Sequence, residues 1–349
     1  MKKVRIKDIA EKAGVSIGTV DRVLHKRGEV KAATRELVTR IAKEMDYQPN
    51  LVARALTAKQ QFKLAALLPQ AQDENVFWSK HPEGINQAIK QLEAFRVGMD
   101  FYYFELQNET EFNRIAQELL ARQPDGVILA PILRKESAAL CEQLDKLSIP
   151  YVFIDTFLDH TNCLSFIGED AYQSGRVAAS LIDFGLEVDK DILIVNLTKD
   201  IENTLHLTER NQGFQSYFLD AGRNEGLRIS VEIPSTNRDT VNEKMDRILK
   251  NNTNIGAILV SSAKTHVIAR YLEKHKIHNI TLVGYEVTTK NLLYMKRGVI
   301  KFLIGQRPVE QGEKAVLKLY SYLSANTIPE KKEFQSIDIL NAENIDMYH

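Results

Sequence analysis

The chain has 349 residues, of which 44% are hydrophobic and 26% charged, a balance typical of two or three compact domains. No stretch reaches the roughly 18 apolar residues of a membrane span, so we expect no membrane partner. The formal net charge is zero, yet residues 1–61 carry 14 basic and 7 acidic side chains, whereas the remainder carries 32 and 39. A basic head on an acidic body is the pattern expected when only the head meets phosphate.

The cysteines, the histidines and the chain start point to a cytoplasmic protein that is not an enzyme. Cys141 and Cys163 have no paired spacing and lie in apolar surroundings, which indicates reduced core residues. The basic start MKKVRIKDIAEK is not followed by the apolar run of a signal peptide. The eight histidines lack metal-ligand spacing, and GxGxxG, P-loop, GxSxG, HExxH and CxxC motifs are absent. We therefore expect no cofactor and no metal.

Residues 5–24, RIKDIAEKAGVSIGTVDRVL, predict two short helices around a tight turn. The first runs from Ile6 to Ala13, Gly14 can take the positive φ that ends it, and Ser16 is a good N-cap for the second. Such a helix-turn-helix places its second helix in the DNA major groove. An ordinary αα-corner is the alternative.

A third helix and a short hinge follow this pair. Apolar residues repeat at helical spacing from Ala32 to Met45 and can close a small core. Pro49 ends this helix, and Asn50 can cap a short new one that is unable to persist alone in water. We therefore divide the first part of the chain into a DNA-binding domain, residues 1–47, and a hinge, residues 48–61.

The segments IKDIAEKAGVS, TV, RVL, TRELV and YQPNLVARAL make residues 4–60 resemble the head and hinge of the LacI/GalR family of bacterial transcription regulators. The resemblance implies a homodimer on double-stranded operator DNA, with paired hinge helices in the minor groove and Leu56 wedged between bases. By position, Ser16 and Thr19 would hold phosphates and Arg22 would read a guanine, with a phosphate contact as its alternative. The implied DNA-binding residues are Arg5, Ser16, Ile17, Gly18, Thr19, Asp21, Arg22, His25, Lys31, Thr34, Asn50, Ala53 and Leu56.

Several of these positions depart from the family pattern. Ile17 and Gly18 stand where long polar base-readers are usual, and Asp21 stands where a small hydroxyl residue is usual. A carboxylate there would be repelled by phosphate, although it could accept a hydrogen bond from cytosine or orient Arg22. Lys31 replaces a usual serine cap and could restore some attraction to phosphate. The departures put the operator sequence in doubt, not the DNA binding.

From Lys63 onward, short apolar strands alternate with amphipathic helices, which predicts parallel sheets wound on both sides. There are enough strands for two sheets, in an order resembling the type I periplasmic sugar-binding fold of LacI/GalR effector domains. That resemblance implies a first lobe of residues 62–162 plus 290–325 and a second of 163–289 plus 326–349. The predicted fold class is thus an all-α helix-turn-helix head followed by an α/β body of two doubly wound parallel-sheet lobes.

Polar and aromatic residues at the strand ends suggest an effector cleft between these lobes. Carboxylate, amide and arginine groups beside an aromatic platform suit a sugar, and the family resemblance implies effector contacts by Arg210 and Glu286. A turn cap for Asp155 and lobe packing for Trp78 are the alternatives. Lys264 hints at a sugar acid or sugar phosphate, but a solvated helix start explains it as well. The predicted effector-binding residues are Asn75, Phe77, Trp78, Asp155, Arg210, Ser262, Lys264, Glu286 and Gln306.

These features together predict an allosteric, ligand-responsive transcription regulator, by family analogy a repressor of carbohydrate-utilisation genes. One alternative is a cytoplasmic carbohydrate-binding receptor, which the basic head opposes. A second is a regulator with a nucleobase-type or nucleoside-type effector. A third is an α/β enzyme with a DNA-binding appendage, which would need a clustered acid and base in the cleft.

Overall fold

The structure is a computed structural model that describes residues 6–24, 30–45, 61–71, 77–106, 108–198, 205–223 and 226–348. The chain divides into two compact units, one built on residues 1–61 and one that comprises residues 62–91 and 97–349. Each unit has its own core and is described by itself.

The first unit contains three helices: α1 Ile6–Ala13, α2 Ile17–Leu24 and α3 Ala32–Glu44. Ile9, Val20 and Val38, one from each helix, are fully buried against one another. Helices of eight residues such as α1 and α2 are too short to persist alone in water, so this shared core stabilises them. The helices agree with those predicted from the apolar spacing.

The second unit is an α/β body. Its described strands, in chain order, are β1 Phe62–Pro69, β2 Val97–Phe104, β3 Gly126–Leu129, β4 Tyr151–Ile154, β5 Ser165–Gly168, β6 Asp191–Asn196, β7 Arg228–Glu232, β8 Ile255–Val260, β9 Thr281–Tyr285, β10 Ile300–Gly305, β11 Lys332–Phe334 and β12 Asp338–Leu340. Its described helices are α4 Phe77–Gln91, α5 Glu109–Ala121, α6 Arg134–Lys146, α7 Ala171–Asp183, α8 Leu205–Asp220, α9 Arg238–Asn251, α10 Thr265–Lys274, α11 Thr289–Lys296 and α12 Pro308–Ala325.

The strands form two six-stranded sheets with matching orders, β11-β5-β4-β3-β1-β2 and β12-β10-β9-β8-β6-β7. Apart from the added strands β11 and β12, both sheets follow the doubly wound order 2-1-3-4-5. We call the body built on the first sheet lobe 1 and that built on the second lobe 2. The predicted pair of doubly wound lobes is confirmed, with one difference: β12 runs antiparallel to β10.

The chain crosses between the lobes later than expected at all three points. The resemblance to the periplasmic sugar-binding fold predicts crossings near residues 162, 290 and 325. In the structure, β5 still belongs to lobe 1 and β10 still belongs to lobe 2, so the first two crossings follow Gly168 and Gly305. The third lies between β11 and β12. The strands β5 and β11 read SFIG and KEF, and neither contains the continuous apolar run that marks β3 and β4.

The central strands are buried on both faces, which places the cores above and below each sheet. Every residue of β3, β4 and β6 is buried. Continuous apolar runs such as GVIL and YVFI are typical of parallel strands that have helices on both sides. No helix within the described ranges is long and apolar enough to cross a membrane.

Candidate functional site

The first turn of α2 is capped by Ser16. The Ser16 Oγ accepts a hydrogen bond from the backbone N–H of Thr19 at 3.1 Å and lies 2.9 Å from Thr19 Oγ1. This cap satisfies one of the backbone N–H groups that have no partner within the helix. Ser16, Ile17 and Gly18 are exposed, Ile17 by 53%. The start of α2 is thus an exposed surface of the head, as a DNA-reading helix requires.

A tight turn sets the angle between α1 and α2. Gly14 has a φ of +64°, and the following backbone N–H of Val15 donates to the carbonyl of Ala10 at 3.1 Å. No atom lies within 4 Å of a Cβ built on Gly14, so backbone conformation and not space favours glycine here.

Arg22 lies along the exposed face of α2. Its Nε donates a hydrogen bond to the carbonyl of Gly18, one turn earlier, at 3.2 Å. The guanidinium is therefore held beside the first turn of the helix. Lys31 is exposed and Thr34 half-buried at the start of α3.

The structure describes eight of the residues predicted to contact DNA: Ser16, Ile17, Gly18, Thr19, Asp21, Arg22, Lys31 and Thr34. Arg5, His25, Asn50, Ala53 and Leu56 lie outside the described residues, as does the predicted hinge helix.

A cavity of about 90 Å³ lies between the two lobes. One buried water needs about 10–15 Å³, so the cavity has room for several waters or for one ligand of monosaccharide size. Eight of the predicted effector-binding residues line it: Phe77, Trp78, Asp155, Arg210, Ser262, Lys264, Glu286 and Gln306. The ninth, Asn75, lies outside the described residues.

The two lobes contribute different chemistry to this cavity. Lobe 1 supplies mainly apolar side chains, among them Leu106, Ile132 and Leu133 beside the aromatic pair. Lobe 2 supplies most of the polar groups, among them Thr198 and His206. A ligand that fills the cavity therefore needs one apolar face and one face with several hydrogen-bonding groups.

The aromatic side of the cavity is built from neighbouring turns of α4. Phe77 and Trp78 pack edge to face with ring centres 5.0 Å apart, and the Trp78 ring stacks on His81 at 4.9 Å. All three side chains are buried. Burial lowers the pKa of His81 to about 3, so its ring is neutral at physiological pH. Trp78 therefore packs within lobe 1 and lines the cavity at the same time.

Asp155 and Glu286 occupy equivalent positions in the two lobes. Asp155 directly follows β4 and Glu286 directly follows β9, and both have left-handed backbones, with φ of +66° and +67°. Each backbone N–H donates to the next strand of its sheet, Asp155 to Ile167 at 3.1 Å and Glu286 to Ile304 at 2.8 Å. Left-handed backbones are uncommon outside glycine and concentrate at functional sites.

The guanidinium of Arg210 is fixed by hydrogen bonds and by a contact with an aromatic ring. Its Nε donates to Glu169 Oε1 at 2.7 Å, Nη2 bonds to the same oxygen, and Nη1 donates to the carbonyl of Ser261 at 2.7 Å. The ring centre of Tyr285 lies 3.9 Å from the guanidinium carbon. Because Arg210 and Glu169 are both 2% exposed, this ion pair is shielded from solvent.

The position of Arg210 depends on a close contact between α7 and α8. A Cβ on Gly175 would lie 2.0 Å from the carbonyl oxygen of Arg210, and one on Gly213 would lie 1.8 Å from that of Tyr172. Real Cβ atoms cannot approach that closely, so only glycine allows this helix packing. These two glycines thus place the guanidinium beside Glu169.

Three buried carboxyl groups surround this one guanidinium. Burial raises the pKa of Asp155 to about 6, and the nearby charge of Arg210 only partly offsets it. Burial likewise raises the pKa of Glu169, and it raises that of Glu286 well above its ordinary value. Carboxyl groups, which can hold a proton or accept a hydrogen bond, therefore outnumber the positive charge of the one guanidinium.

Several buried polar atoms at the cavity have no hydrogen-bond partner among the described residues. They are Glu286 Oε1, Gln306 Oε1, Ser262 Oγ and His206 Nδ1. An unsatisfied buried polar atom costs about 1–3 kcal/mol, so a ligand that bonded to these groups would remove that cost. No group of three or more His, Cys, Asp or Glu within the described ranges is arranged to hold a metal ion.

Three polar residues of this region were missed by the sequence analysis: Glu169, Thr198 and His206. Glu169 follows β5, a strand without a continuous apolar run, and accepts a hydrogen bond from Arg210. Thr198 follows β6 closely, so the rule applied to the other strand ends would have found it. His206 precedes Arg210 by one helical turn and therefore shares its face of α8.

Comparisons with known proteins agree with this architecture. Residues 5–50 match the family of bacterial regulatory proteins, lacI family, and residues 65–327 match the periplasmic binding protein domain. The chain is 25% identical over 288 residues to the sucrose operon repressor of Lactococcus lactis subsp. lactis, which is 82% of this chain and 83% of that one. It is 30% identical over 218 residues to the sucrose operon repressor of Escherichia coli, 62% of each chain.

Two solved structures share the fold. One, from Bacteroides fragilis, is described as a LacI transcriptional regulator; it matches with a TM-score of 0.76 and 24% identity over 83% of this chain and 100% of that one. The other is GanP, a glucose-galactose binding protein from Geobacillus stearothermophilus, with a TM-score of 0.72 and 21% identity over 82% and 99% of the two chains. The chain thus combines a head that matches the lacI family of bacterial regulatory proteins over residues 5–50 with a body that belongs to the periplasmic binding protein domain family over residues 65–327, and the relatives named above are repressors.

Proposed function

We propose that this protein represses transcription by binding a pseudo-palindromic operator as a homodimer, and that a sugar or sugar derivative in the cleft between the lobes releases it. The observation that carries the proposal is the placement of eight predicted effector-binding residues around one cavity. The sucrose operon repressors among its relatives support a sugar over other effector classes.

The chemistry of the cavity supports a sugar as well. A pyranose has an apolar C–H face and a rim of hydroxyl groups, each able to donate and to accept a hydrogen bond. The apolar wall around Trp78 suits the first, and the acceptors of Glu286 and Gln306 suit the second. A ligand of this kind would bond to both lobes at once.

Such a ligand can regulate DNA binding by linkage. A molecule that contacts both lobes stabilises one angle between them, and it shifts the equilibrium by its difference in affinity for the two arrangements. The lobe angle would set the spacing of the two hinges in a dimer and so the fit of the heads to two half-sites.

The DNA-binding part is tested by mobility shift with palindromic fragments from upstream of the protein's own gene, over a range of salt concentrations. Specific binding should weaken steeply with salt, because phosphate contacts release counterions. Arg22→Ala should weaken binding and relax the preference at one base pair. Arg40→Ala is the matched control, since Arg40 is an exposed arginine on α3 that forms an ion pair with Glu44 within the same helix.

The effector part is tested by a thermal-shift screen of sugars, sugar acids, sugar phosphates and nucleosides. A ligand at about 100 times its Kd should stabilise the protein by about 2.7 kcal/mol. Any hit should then change operator affinity in the mobility-shift assay. A protein that binds no palindromic fragment, and whose melting temperature responds to no compound of the screen, would contradict the proposal.

A further inference from the structure

The guanidinium of Arg210 is a permanently charged group at the effector cavity, and it forms an ion pair with Glu169. Two of its nitrogens bond to Glu169 Oε1, and a third donates to the carbonyl of Ser261. Glu169 is not among the residues that line the cavity. A ligand therefore meets Arg210 as one half of a buried ion pair and not as an uncompensated positive charge.

The other ionisable side chains around the cavity do not give it a positive electrostatic potential. Asp155 and Glu286 line the cavity beside Arg210, so three buried carboxyl groups stand around one guanidinium. Lys264, at the start of α10, adds one positive charge. His206 adds none, because burial and the neighbouring Arg210 lower its pKa well below the ordinary value. Burial raises the pKa of Glu286 well above its ordinary value, so this carboxyl is neutral at physiological pH. Asp155 and Glu169 then balance Arg210 and Lys264, and these described groups give the cavity no net positive charge.

The unsatisfied atoms of the cavity indicate the kind of ligand that would complete it. Glu286 Oε1 and Gln306 Oε1 are buried hydrogen-bond acceptors with no partner among the described residues, and their side chains are 3% and 2% exposed. A hydroxyl or an ammonium group can donate to them. A carboxylate or a phosphate has no proton to donate to Gln306 Oε1, and it would also be repelled by the carboxyl groups that remain ionised.

We propose that Glu169 sets the charge selectivity of this cavity: by neutralising Arg210, it limits the effector to ligands without negative charge, whose hydroxyl or amino groups donate to Glu286 and Gln306. The inference deepens the proposed function, since it names the effector class of the same cleft. It argues against the sugar acids and sugar phosphates that Lys264 suggested. Glu169 is a positioning residue here, because it acts through Arg210.

Substitution of Glu169 gives a gain of binding as the readout, which a merely damaged protein cannot show. Glu169→Gln has the same shape and keeps an oxygen that can accept from Arg210 Nε, but it removes the negative charge. Calorimetry on the full-length protein would compare matched ligands of one sugar skeleton: the aldose, its 2-amino derivative, its uronic acid and its 6-phosphate. Wild type should bind only the first two. In Glu169→Gln, affinity for the uronic acid or phosphate relative to the aldose should rise about tenfold or more.

Two variants control for effects other than the charge of Glu169. Glu169→Asp keeps the charge and should keep the preference for uncharged ligands, even if all affinities fall. Glu187→Gln removes a carboxylate that is 79% exposed and should behave as wild type.

Thermal unfolding with inorganic phosphate tests the role of Glu169 separately from the proposed response to sugars. Inorganic phosphate alone should raise the melting temperature of Glu169→Gln by more than that of wild type, whether or not any sugar binds; its general stabilising effect and any binding to the head are common to both proteins. A wild-type protein that binds a uronic acid or phosphate ester as tightly as the aldose would overturn the inference. So would a folded Glu169→Gln with unchanged ligand preference and a response to phosphate no larger than that of wild type. Failure of every sugar to bind, with the phosphate response present, would instead contradict the sugar-responsive function.

Discussion

Gln311 holds Asp155 in place from a helix 156 residues further along the chain. Its Oε1 accepts a hydrogen bond from the backbone N–H of Asp155 at 2.9 Å, while its Nε2 donates to the carbonyl of Gln306 at 2.8 Å. The Gln311 side chain is fully buried on α12. One amide therefore connects the acidic end of β4 with the segment through which the chain crosses between the lobes.

We expect Gln311→Leu to weaken effector binding about tenfold and to lower stability by about 1–3 kcal/mol, because it leaves two buried backbone groups with fewer partners. Calorimetry and thermal unfolding would measure the two effects. Operator binding without effector should stay unchanged, which a general folding defect would not allow. Gln117→Leu is the control, since Gln117 belongs to an exposed amide pair with Gln143.

Asp155→Asn should stabilise the ligand-free protein near neutral pH. Burial raises the pKa of Asp155 from 3.8 to about 6, so the folded protein binds this proton more tightly than the unfolded chain does. The resulting stability is fully present below about pH 4 and is lost as pH rises to about 6. At pH 7 the ionised side chain therefore costs on the order of 3 kcal/mol, which the neutral amide avoids. Asparagine also tolerates the left-handed backbone.

Urea unfolding between pH 4 and pH 8 would check this expectation. The difference between Asp155→Asn and wild type should grow as pH rises through 4 to 6, while affinity for the effector falls. The exposed Asp100 provides Asp100→Asn as a comparison. Equal pH profiles for Asp155→Asn and wild type would show that Asp155 does not titrate in this window.

His81 should make the protein sensitive to acid. Burial lowers its pKa from 6.5 to about 3, so the unfolded chain binds this proton more readily than the folded protein does. Stability is therefore fully present above about pH 6.5 and is lost as pH falls toward 3, by roughly 3–5 kcal/mol in all. His81→Phe should remove this part of the pH dependence, whatever its effect on stability at pH 7. His278→Phe, at an exposed position, should leave the slope unchanged.

Gly213→Ala should be among the most damaging single-methyl changes in lobe 2. The added Cβ would lie 1.8 Å from the carbonyl oxygen of Tyr172, so α7 and α8 must separate. We expect a loss of about 3 kcal/mol or more, together with weaker effector binding, because α8 carries Arg210. Gly185→Ala tests the generic effect of a methyl group: no atom lies within 4 Å of its Cβ, and its effect should stay within about 1 kcal/mol. Similar losses in both variants would contradict the close-packing argument.

The elements that could be read from the sequence are those whose signal is local. The helices of the head follow from apolar spacing and from the Ser16 cap, and both features lie within a few residues of the structure they specify. Strands such as β6 were recognisable because they are continuous apolar runs. Asp155, Glu286 and Gln306 could be named in advance because parallel strands bring their carboxyl ends to one edge, whereas Phe77, Trp78 and Arg210 were named by resemblance to the LacI/GalR family.

The short strands β5, β11 and β12, and the points where the chain crosses between the lobes, could not be predicted from local sequence patterns. The strand β5 has only two apolar residues, Phe166 and Ile167, between a serine and a glycine, so it was not recognised, Glu169 at its end was missed and the first crossing was placed too early. The strands β11 and β12 add to the two sheets through pairings with residues far away in the chain.

The sequence by itself determined that this chain has a DNA-reading head, an acidic two-lobed body and a cleft with Arg210 and Glu286. The head, the body and the strand ends follow from local periodicity and from net charge, whereas the contacts of Arg210 and Glu286 with an effector were implied by the resemblance to the LacI/GalR family. Only the tertiary structure decided that Arg210 is neutralised by Glu169, 41 residues away, and that Gln311 holds Asp155. The physical reason is that the charge a ligand meets, and the partners of a buried polar atom, depend on which distant segments pack together.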